Sequence, residues 1–298
     1  MYDLIVIGAG PAGISSSIYA KSRGKEVLVL DKKGVGGLIG NVSTVTHYTG
    51  IIENETGATF AARMKKQAED SGVEIRLADV KSVDLEGPVK KVTTDQGVFE
   101  SKAIILANGG SGRMLGIPGE NLKGVRLNAP KDGPAYAGKT VYVIGGADGA
   151  VKEALFLAKT AKKVVIVCVE KELACIAEFK EKVAQTSNIE VMPHTSLTAV
   201  YGKDSVEELE FTDLEDSKKT LIKDPEAGVF VYAGIVPNTA MYSQLELDEN
   251  GYIPTDENME TKIPGVFAAG DIRSKKVRQV ATAVADGAAA AITASTKY

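Results

Sequence analysis

Short apolar runs alternate with amphipathic segments along the chain, and this pattern predicts strands connected by helices. Residues 2–7 are almost entirely apolar, as expected for a strand that is buried on both faces. Residues 57–71 have the spacing of a helix, because Phe60, Met64 and Ala68 recur on one face. Such alternation of strands and helices is typical of an α/β domain.

The same order of elements returns in the second half of the chain. We predict strands at residues 140–144 and 163–169, separated by a helix at residues 151–160. A strand at residues 263–271 and an alanine-rich helix at residues 278–295 then continue the first unit. The first domain is therefore expected to be discontinuous, with the second domain inserted into it.

A glycine-rich turn, which we call the first loop (Gly8–Gly13), separates the first strand from a helix. Gly8 allows the tight turn, Gly10 lets the backbone approach a pyrophosphate, and Gly13 lets the helix pack closely on the strand. The pyrophosphate then lies on the free N–H groups at the helix N-terminus. The next strand ends in Asp31, 23 residues after Gly8, where an acid can accept hydrogen bonds from ribose hydroxyls. The sequence therefore predicts a dinucleotide site.

Composition narrows the class of protein. Hydrophobic residues make up 44% and charged residues 25% of the 298 residues, as in ordinary globular proteins. The net charge of −4 argues against a broad nucleic-acid-binding surface. No apolar run has the length of a membrane span, so we expect a cytoplasmic protein that does not bind membranes. Two cysteines and two distant histidines, His47 and His194, form no metal-ligand spacing, so no metal is expected.

Together the motifs resemble the low-molecular-weight thioredoxin reductases, which are FAD flavoproteins with an inserted pyridine-nucleotide domain. The resemblance implies an α/β fold with two Rossmann-like (three-layer ββα) nucleotide-binding domains. The FAD-binding domain would comprise residues 1–116 and 243–298, and the inserted domain residues 117–242. A homodimer is also implied. The segments that carry the resemblance are residues 8–13, 36–37, 104–110, 145–150, 233–239, 265–271 and 278–280.

The resemblance also implies which residues hold FAD. Asp271 would hydrogen-bond the ribityl chain, and the backbone at Gln279 and Val280 would face the flavin pyrimidine. A helix N-terminus there would stabilise an anionic, reduced flavin. His47 replaces a family asparagine beside the flavin, where it would donate a hydrogen bond or a proton. A merely structural contact is an equal alternative. The implied cofactor-binding residues are Gly8, Gly10, Pro11, Ala12, Gly13, Asp31, Lys32, Gly36, Gly37, Leu38, His47, Val80, Ala107, Asn108, Gly109, Gly270, Asp271, Arg278, Gln279 and Val280.

Three departures from the family pattern bear on function. The cysteines of the family's CxxC motif correspond here to Asn128 and Lys131, so the usual dithiol is absent. In the second fingerprint, Ala147 stands where the backbone must approach a pyrophosphate. The family's arginine pair for the 2′-phosphate of NADPH is replaced by Val169 and Glu170, and a glutamate repels a phosphate. We therefore expect the site of the usual electron donor to be disabled.

Cys168 and Cys175 stand in this vacated place. Cys168 ends a strand, and we predict Cys175 near the start of a helix at residues 174–186, where a helix N-terminus lowers a thiol pKa. The short connection can bring the two Cα atoms within the ~4.4–6.8 Å that a disulfide needs. Alternatively, Cys168 is a core residue and Cys175 a helix filler. We favour a redox-active pair, because the family's own dithiol is absent.

This combination resembles the ferredoxin-dependent flavin thioredoxin reductases. The resemblance implies that reduced ferredoxin supplies single electrons to FAD, which reduces a Cys168–Cys175 disulfide, and that the dithiol then reduces thioredoxin. A basic cluster after Asp271 is a candidate docking surface for an acidic ferredoxin, with a solvated run of charges as an equal alternative. Its members are Arg273, Lys275, Lys276 and Arg278.

Three other functions are compatible with the sequence. Glu170 lies 25 residues after Gly145, where an acid can bind the ribose of NADH, so an NADH-dependent flavin oxidoreductase is one alternative. Ala147 argues against it. A ferredoxin–NADP reductase of the thioredoxin-reductase type also lacks CxxC, although the missing basic pair argues against NADP. The third alternative is a flavin-bound redox sensor without turnover.

Overall fold

The computed structural model describes residues 1–298, which divide into two compact units. The first unit comprises residues 1–111 and 236–298, and the second comprises residues 112–235. The second unit thus begins at 112 and ends at 235, whereas residues 117 and 242 were the predicted bounds. The later bound differs because Tyr242 is buried in the core of the first unit.

The two units contain seventeen strands and six helices. The helices are α1 (Pro11–Lys21), α2 (Gly57–Asp70), α3 (Ala129–Asp132), α4 (Asp148–Leu157), α5 (Ala177–Gln185) and α6 (Val280–Lys297). The strands are β1 (Tyr2–Ile7), β2 (Val27–Asp31), β3 (Glu74–Leu77), β4 (Val80–Asp84), β5 (Lys90–Thr94), β6 (Gly97–Leu106), β7 (Gly110–Gly112), β8 (Val125–Arg126), β9 (Thr140–Ile144), β10 (Lys163–Val167), β11 (Ile189–Met192), β12 (Thr195–Tyr201), β13 (Glu208–Asp213), β14 (Lys219–Lys223), β15 (Gly228–Val231), β16 (Ile235–Pro237) and β17 (Val266–Ala268).

The first unit is built on a sheet with strand order β3-β2-β1-β6-β5-β4, and β17 also pairs with β6. Strands β3, β2, β1, β6 and β17 are parallel, whereas β4 and β5 form an antiparallel excursion. The second half of β6, residues 103–106, is buried. Ile7 pairs with both Leu30 and Leu106, so β1, β2 and β6 end level with one another. Ligands bind at such a carboxyl edge.

Both faces of this sheet are covered by apolar side chains. Helices α1, α2 and α6 cover one face, and Phe60, Met64 and Ala68 are buried there as the helical spacing predicts. Leu85 and Tyr242 pack on the opposite face. Helices α1 and α6 lie so close together that a Cβ atom on Gly287 would collide with the carbonyl oxygen of Ala12. The alanine-rich sequence of α6 permits this approach.

The second unit repeats the three-layer plan. Its parallel sheet has strand order β11-β10-β9-β15-β8. Helices α4 and α5 cover one face, and the antiparallel sheet β12-β13-β14 covers the other through residues such as Leu197 and Phe211. Helix α4 begins at Asp148, before the predicted residue 151. The prediction of an α/β fold with two Rossmann-like, three-layer domains is confirmed.

Two further observations concern the whole chain. The segments that link the units form a two-stranded sheet of β7 and β16. None of the six helices combines the length and the apolar character that crossing a membrane requires.

Candidate functional site

The first loop joins β1 to α1 at the carboxyl edge of the first sheet. Gly8 has φ +105°, and a Cβ atom there would lie 2.7 Å from the Cα atom of Asn108, so only glycine fits. A Cβ atom on Gly13 would collide with the carbonyl oxygen of Gly8. Gly10 is different, because its φ is −77° and the nearest heavy atom to an added Cβ, on Gly37, lies 3.8 Å away. The fold itself therefore does not require glycine at position 10.

The N-terminus of α1 is open to a ligand. No side chain caps it, and no acidic residue occupies its first turn. Pro11 is the first residue of the helix, and Ala12 and Gly13 are buried behind it. The free N–H groups and the positive end of the helix dipole therefore favour an anionic group above Gly10.

Asp31 stabilises the first loop by accepting backbone hydrogen bonds. One carboxylate oxygen, Oδ2, accepts the Ala9 N–H at 2.9 Å, and the other, Oδ1, accepts the N–H groups of Lys33 at 2.7 Å and Gly34 at 2.9 Å. The sequence predicts only a contact with ribose for this residue. The structure adds a role in fixing the loop against the turn that follows β2.

A second glycine-rich segment closes over the first loop. The Gly36 N–H donates to the carbonyl oxygen of Ala9 at 2.9 Å, and a Cβ atom on Gly37 would lie 3.1 Å from the Cα atom of Gly10. Gly36 and Gly37 have φ values of +139° and +62°, which favour glycine. Of the other residues predicted to bind the cofactor, Lys32, Leu38 and His47 are exposed and Val80 is half-buried.

The end of β6 forms the opposite wall of this edge. Ala107 is buried, and Gly109 has φ +55°. The Asn108 side chain donates to the carbonyl oxygen of Asn238 at 2.9 Å and accepts the Tyr242 hydroxyl at 2.6 Å. Burial raises the pKa of Tyr242, so this hydroxyl stays a donor. Sequence reasoning missed Tyr242, because it lies 134 residues from Asn108.

Asp271 follows β17 and has a buried carboxylate oxygen that the protein does not satisfy. Its Oδ1 atom is buried and has no hydrogen-bond donor in the protein, although the Lys275 ammonium nitrogen lies 3.9 Å away. Burial raises the pKa of this carboxyl, while Lys275 and Arg278 act in the opposite direction. A buried acceptor without a donor requires a hydroxyl from a ligand or water.

The N-terminus of α6 lies in the same unit. Gln279 caps the helix, its N–H donating to the Thr282 hydroxyl at 3.2 Å, and Val280 is the first helical residue. The Arg278 guanidinium lies 3.8 Å from the centroid of the Tyr252 ring. Gly270, with φ +81°, leaves room for Ala12, whose Cβ would lie 2.8 Å from an added Cβ.

These features fit FAD. The open helix N-terminus and Gly10 suit a pyrophosphate, and the unsatisfied Asp271 oxygen suits a ribityl hydroxyl. His47, whose Nδ1 lies 2.8 Å from the Thr46 hydroxyl, has this local partner in addition to any role toward the flavin.

The four cations after Asp271 do not form an exposed patch. Arg273 and Lys275 both bind Asp286, at 2.9 and 2.8 Å, and Lys275 is only 10% exposed. Arg278 stacks on Tyr252, which leaves Lys276 as the exposed member of the group. The prediction of a four-cation docking surface is therefore wrong, because three of the four cations contact side chains of their own unit.

The corresponding turn of the second unit, which we call the second loop (Gly145–Ala150), has a different surface. Gly145 keeps a positive φ of +134°. Ala147 caps α4 with φ −84°, the position that Gly10 holds in α1 with φ −77°. Alanine adds a methyl group at a position where the fingerprint uses glycine for close approach to a pyrophosphate.

One carboxylate lies within the second loop and another lies beside it. Asp148 is the first residue of α4, and its Oδ1 accepts the Ile176 N–H at 2.8 Å. Glu170 Oε2 lies 3.3 Å from the point where a Cβ on Gly146 would stand. Negative charge at a helix N-terminus takes the place of a bound anion and repels another.

Both cysteines lie beside the second loop. Cys168 is 2% exposed, its Cβ lies 2.7 Å from an added Cβ on Gly146, and its thiol donates to the Glu170 carbonyl at 3.6 Å. Cys175 is half-buried and packs at the edge of the same core. Both are free thiols.

The predicted helix start at residue 174 is wrong. Helix α5 begins at Ala177 with Ile176 as its cap, because Asp148 accepts the Ile176 N–H, so Cys175 precedes the helix. The expected low thiol pKa is also wrong. Burial raises the pKa of both thiols, with Glu170 adding to the effect on Cys168 and Asp148 to that on Cys175. Near neutral pH both groups are therefore largely protonated.

Asn128 and Lys131, which we predict to correspond to the family's CxxC cysteines, lie at the start of a short helix. Asn128 caps the short helix α3, its Oδ1 accepting the Lys131 N–H at 3.0 Å. The Ala129 N–H donates to the Tyr232 hydroxyl at 2.9 Å. These side chains stabilise a helix end and offer no thiol for exchange.

Comparisons with known proteins cover the whole chain. The family model described as pyridine nucleotide-disulphide oxidoreductase matches residues 2–287. A thioredoxin reductase of Peptoclostridium litorale is 40% identical over 306 residues, which cover 100% of this chain and 97% of that protein. The thioredoxin reductase structure of Lactococcus lactis (FR conformation) matches with a TM-score of 0.94 and 32% identity, covering 99% and 98% of the two chains. A ferredoxin-flavin thioredoxin reductase structure from Clostridium acetobutylicum matches with a TM-score of 0.54 and 29% identity, covering 99% and 97%.

Proposed function

Because the chain belongs to the pyridine nucleotide-disulphide oxidoreductase family, we propose how this thioredoxin-reductase-like, FAD-dependent disulfide oxidoreductase differs from its relatives. Its electrons come from reduced ferredoxin instead of NADPH. Cys168 and Cys175 pass them to thioredoxin as a redox-active pair. The assembly is a homodimer, as the family resemblance implies.

The second loop carries the proposal against NADPH. The Ala147 methyl group stands at the helix N-terminus, and the carboxylates of Asp148 and Glu170 flank the same turn. A pyrophosphate there meets a steric obstacle and two like charges, and the 2′-phosphate of NADPH has no arginine to bind. Specificity against a ligand is commonly built from such repulsive elements.

The first loop supports retention of the flavin. Gly10 remains accessible, the α1 N-terminus carries no acid, and the buried Asp271 oxygen has no donor of its own. An enzyme that keeps FAD and does not bind a nicotinamide cofactor needs another donor. One structural neighbour is a ferredoxin-flavin thioredoxin reductase, and this supports ferredoxin, a one-electron carrier, as the donor.

The cysteine positions suggest a division of roles. Cys175 is the more exposed thiol, so its thiolate attacks one sulfur of the thioredoxin disulfide, forming a mixed disulfide and displacing a thiolate of thioredoxin. The buried Cys168 then attacks the Cys175 sulfur, which forms the Cys168–Cys175 disulfide and releases reduced thioredoxin. Two electrons and two protons restore the dithiol, and bound FAD supplies this two-electron chemistry.

The proposal is tested by anaerobic titration of the flavin-loaded protein. Reduced ferredoxin should bleach the flavin absorbance, and NADPH at the same reducing equivalents should leave it unchanged over the same period. Rapid bleaching by NADPH would overturn the proposed donor. A ferredoxin titration that bleaches the flavin without reducing added thioredoxin would instead overturn the proposed acceptor.

A second candidate donor is NADH. Glu170 lies beside Gly146 just after β10, and an acid at this place can bind the hydroxyls of an unphosphorylated ribose. A third titration with NADH under the same conditions distinguishes the two donors, because NADH dependence predicts bleaching of the flavin by NADH and none by NADPH.

A further inference from the structure

A buried carboxylate on α6 organises the charges around the flavin site. Asp286 is 7% exposed and accepts three hydrogen bonds. They come from the Gly270 N–H at 3.1 Å, from Arg273 at 2.9 Å and from Lys275 at 2.8 Å. One buried carboxylate thus holds two cations, which leaves one positive charge that Asp286 does not balance.

Lys275 is held in place by its partners. Its ammonium group donates to Asp286 and, at 3.2 Å, to the Thr282 hydroxyl, and its side chain is 10% exposed. The same nitrogen lies 3.9 Å from the Oδ1 atom of Asp271. Asp271, Arg273, Lys275 and Asp286, which we call the charge cluster, therefore balance to zero when both acids are ionised.

The balance depends on Asp271, the only acid of the charge cluster with an unsatisfied oxygen. We propose that Lys275 is a positioning residue of the flavin site: pinned by Asp286 and Thr282, its ammonium group keeps Asp271 charged as a hydrogen-bond acceptor for FAD. Lys275 acts through Asp271 rather than on the cofactor. The proposal concerns cofactor retention and holds whichever donor reduces the flavin.

The proposal predicts a pH dependence with a definite sign. Burial raises the pKa of Asp271, the neighbouring Asp286 raises it further, and Lys275 and Arg278 oppose this. As pH falls through the pKa, Asp271 becomes protonated and accepts a hydrogen bond less well, so FAD binds more weakly. Removal of the ammonium group raises the pKa, so the weakening should begin at a higher pH.

The test measures FAD dissociation constants of wild type, Lys275→Met and Lys276→Met between pH 5 and 8, from the flavin fluorescence that appears on release. Lys276 is the matched control, an exposed lysine next in sequence. At pH 6 we expect Lys275→Met to bind FAD roughly tenfold more weakly than wild type. Its affinity should recover toward the wild-type value at pH 8, and Lys275→Arg should follow the wild-type profile.

Other outcomes would overturn the proposal. They are a wild-type pH profile in Lys275→Met, an equal loss in Lys276→Met, or a loss that is the same at every pH. Asp271→Asn removes the titrating group, so adding Lys275→Met to it should cause no further pH-dependent loss, and a further loss would also contradict the proposal. If circular dichroism shows that Lys275→Met is unfolded, Lys275→Gln, which can still hydrogen-bond Asp286, decides by the same criteria.

Discussion

The first and second loops have nearly the same backbone and opposite surfaces. Gly10 and Ala147 cap their helices with φ values of −77° and −84°. The Gly10 carbonyl accepts the Ile14 N–H at 2.9 Å and the Ala147 carbonyl accepts the Val151 N–H at 3.0 Å, which is the first i→i−4 hydrogen bond of each helix. Since alanine adopts this conformation in the second loop, the turn of the first loop does not require glycine at position 10. A glycine that the fold does not need is explained by a ligand that approaches its backbone.

The difference extends to charge. The first turn of α1 has no acid, whereas α4 begins with Asp148, and Glu170 lies beside the second loop. One helix N-terminus is available to an anion and the other already faces carboxylates. The comparison teaches that the same turn and helix packing can present helix N-termini of different charge.

The largest expected effect concerns the thiols beside the second loop. Cys175→Ser should reduce the rate of thioredoxin reduction on the order of 1000-fold or more, because the attacking thiolate is lost. Flavin bleaching by ferredoxin should be unchanged. The measurement is insulin-coupled thioredoxin turnover beside anaerobic absorbance. Cys168→Ser should instead trap a mixed disulfide with thioredoxin, and unimpaired turnover in both variants would contradict a redox pair.

Transferring the second-loop residue to the first loop should release the flavin. Gly10→Ala should weaken FAD binding roughly 10- to 100-fold, because a methyl group meets the pyrophosphate. The protein should stay folded, since no heavy atom of it lies closer than 3.8 Å to the added Cβ. Flavin content per purified protein and the melting curve measure the two effects. Ala147→Gly is the matched control, which should leave FAD content unchanged.

The reverse exchange should restore a nucleotide site. Ala147→Gly combined with Glu170→Arg removes the methyl group and replaces a carboxylate that repels phosphate by a guanidinium that can donate hydrogen bonds to it. We expect NADPH affinity to increase about tenfold or more, measured by calorimetry on the flavin-loaded protein. Affinity that does not change would mean that these residues are not what excludes the nucleotide.

The smallest effect is a pH dependence. Burial and Asp148 raise the pKa of Cys175, so its thiolate fraction grows as pH rises through that pKa. Thioredoxin reduction should therefore accelerate from pH 6 to 8. Asp148→Asn keeps an acceptor for the Ile176 N–H but removes the charge, so it should lower the pKa and raise the rate at pH 7 by about two- to fivefold. A slower variant would contradict a role for this charge.

Local patterns predicted the turns at the carboxyl edge of the first sheet. The first loop follows β1, Asp31 is the last residue of β2, and Asp271 lies three residues after β17. The carboxyl ends of these parallel strands meet at one sheet edge. The buried face of α2 also follows from its spacing.

Long-range contacts explain what the sequence left undetermined. The start of α5 depends on Asp148, 28 residues before Ile176. The burial of Lys275 depends on Asp286, which lies 11 residues further along the chain, in α6. Neither partner is visible in the local pattern, so the start of α5 and the exposure of the basic cluster were predicted wrongly. The thiol pKa values were predicted wrongly because burial of both side chains raises them.

The central claim, that the second loop excludes the nicotinamide donor while the first keeps the flavin, is tested most directly by stopped-flow reduction of one flavin-loaded preparation. Reduced ferredoxin and NADPH are mixed with it separately under anaerobic conditions, and the flavin absorbance is followed. The account predicts reduction by ferredoxin within the turnover time and no reduction by NADPH. Reduction of the flavin by NADPH within the same time would contradict it.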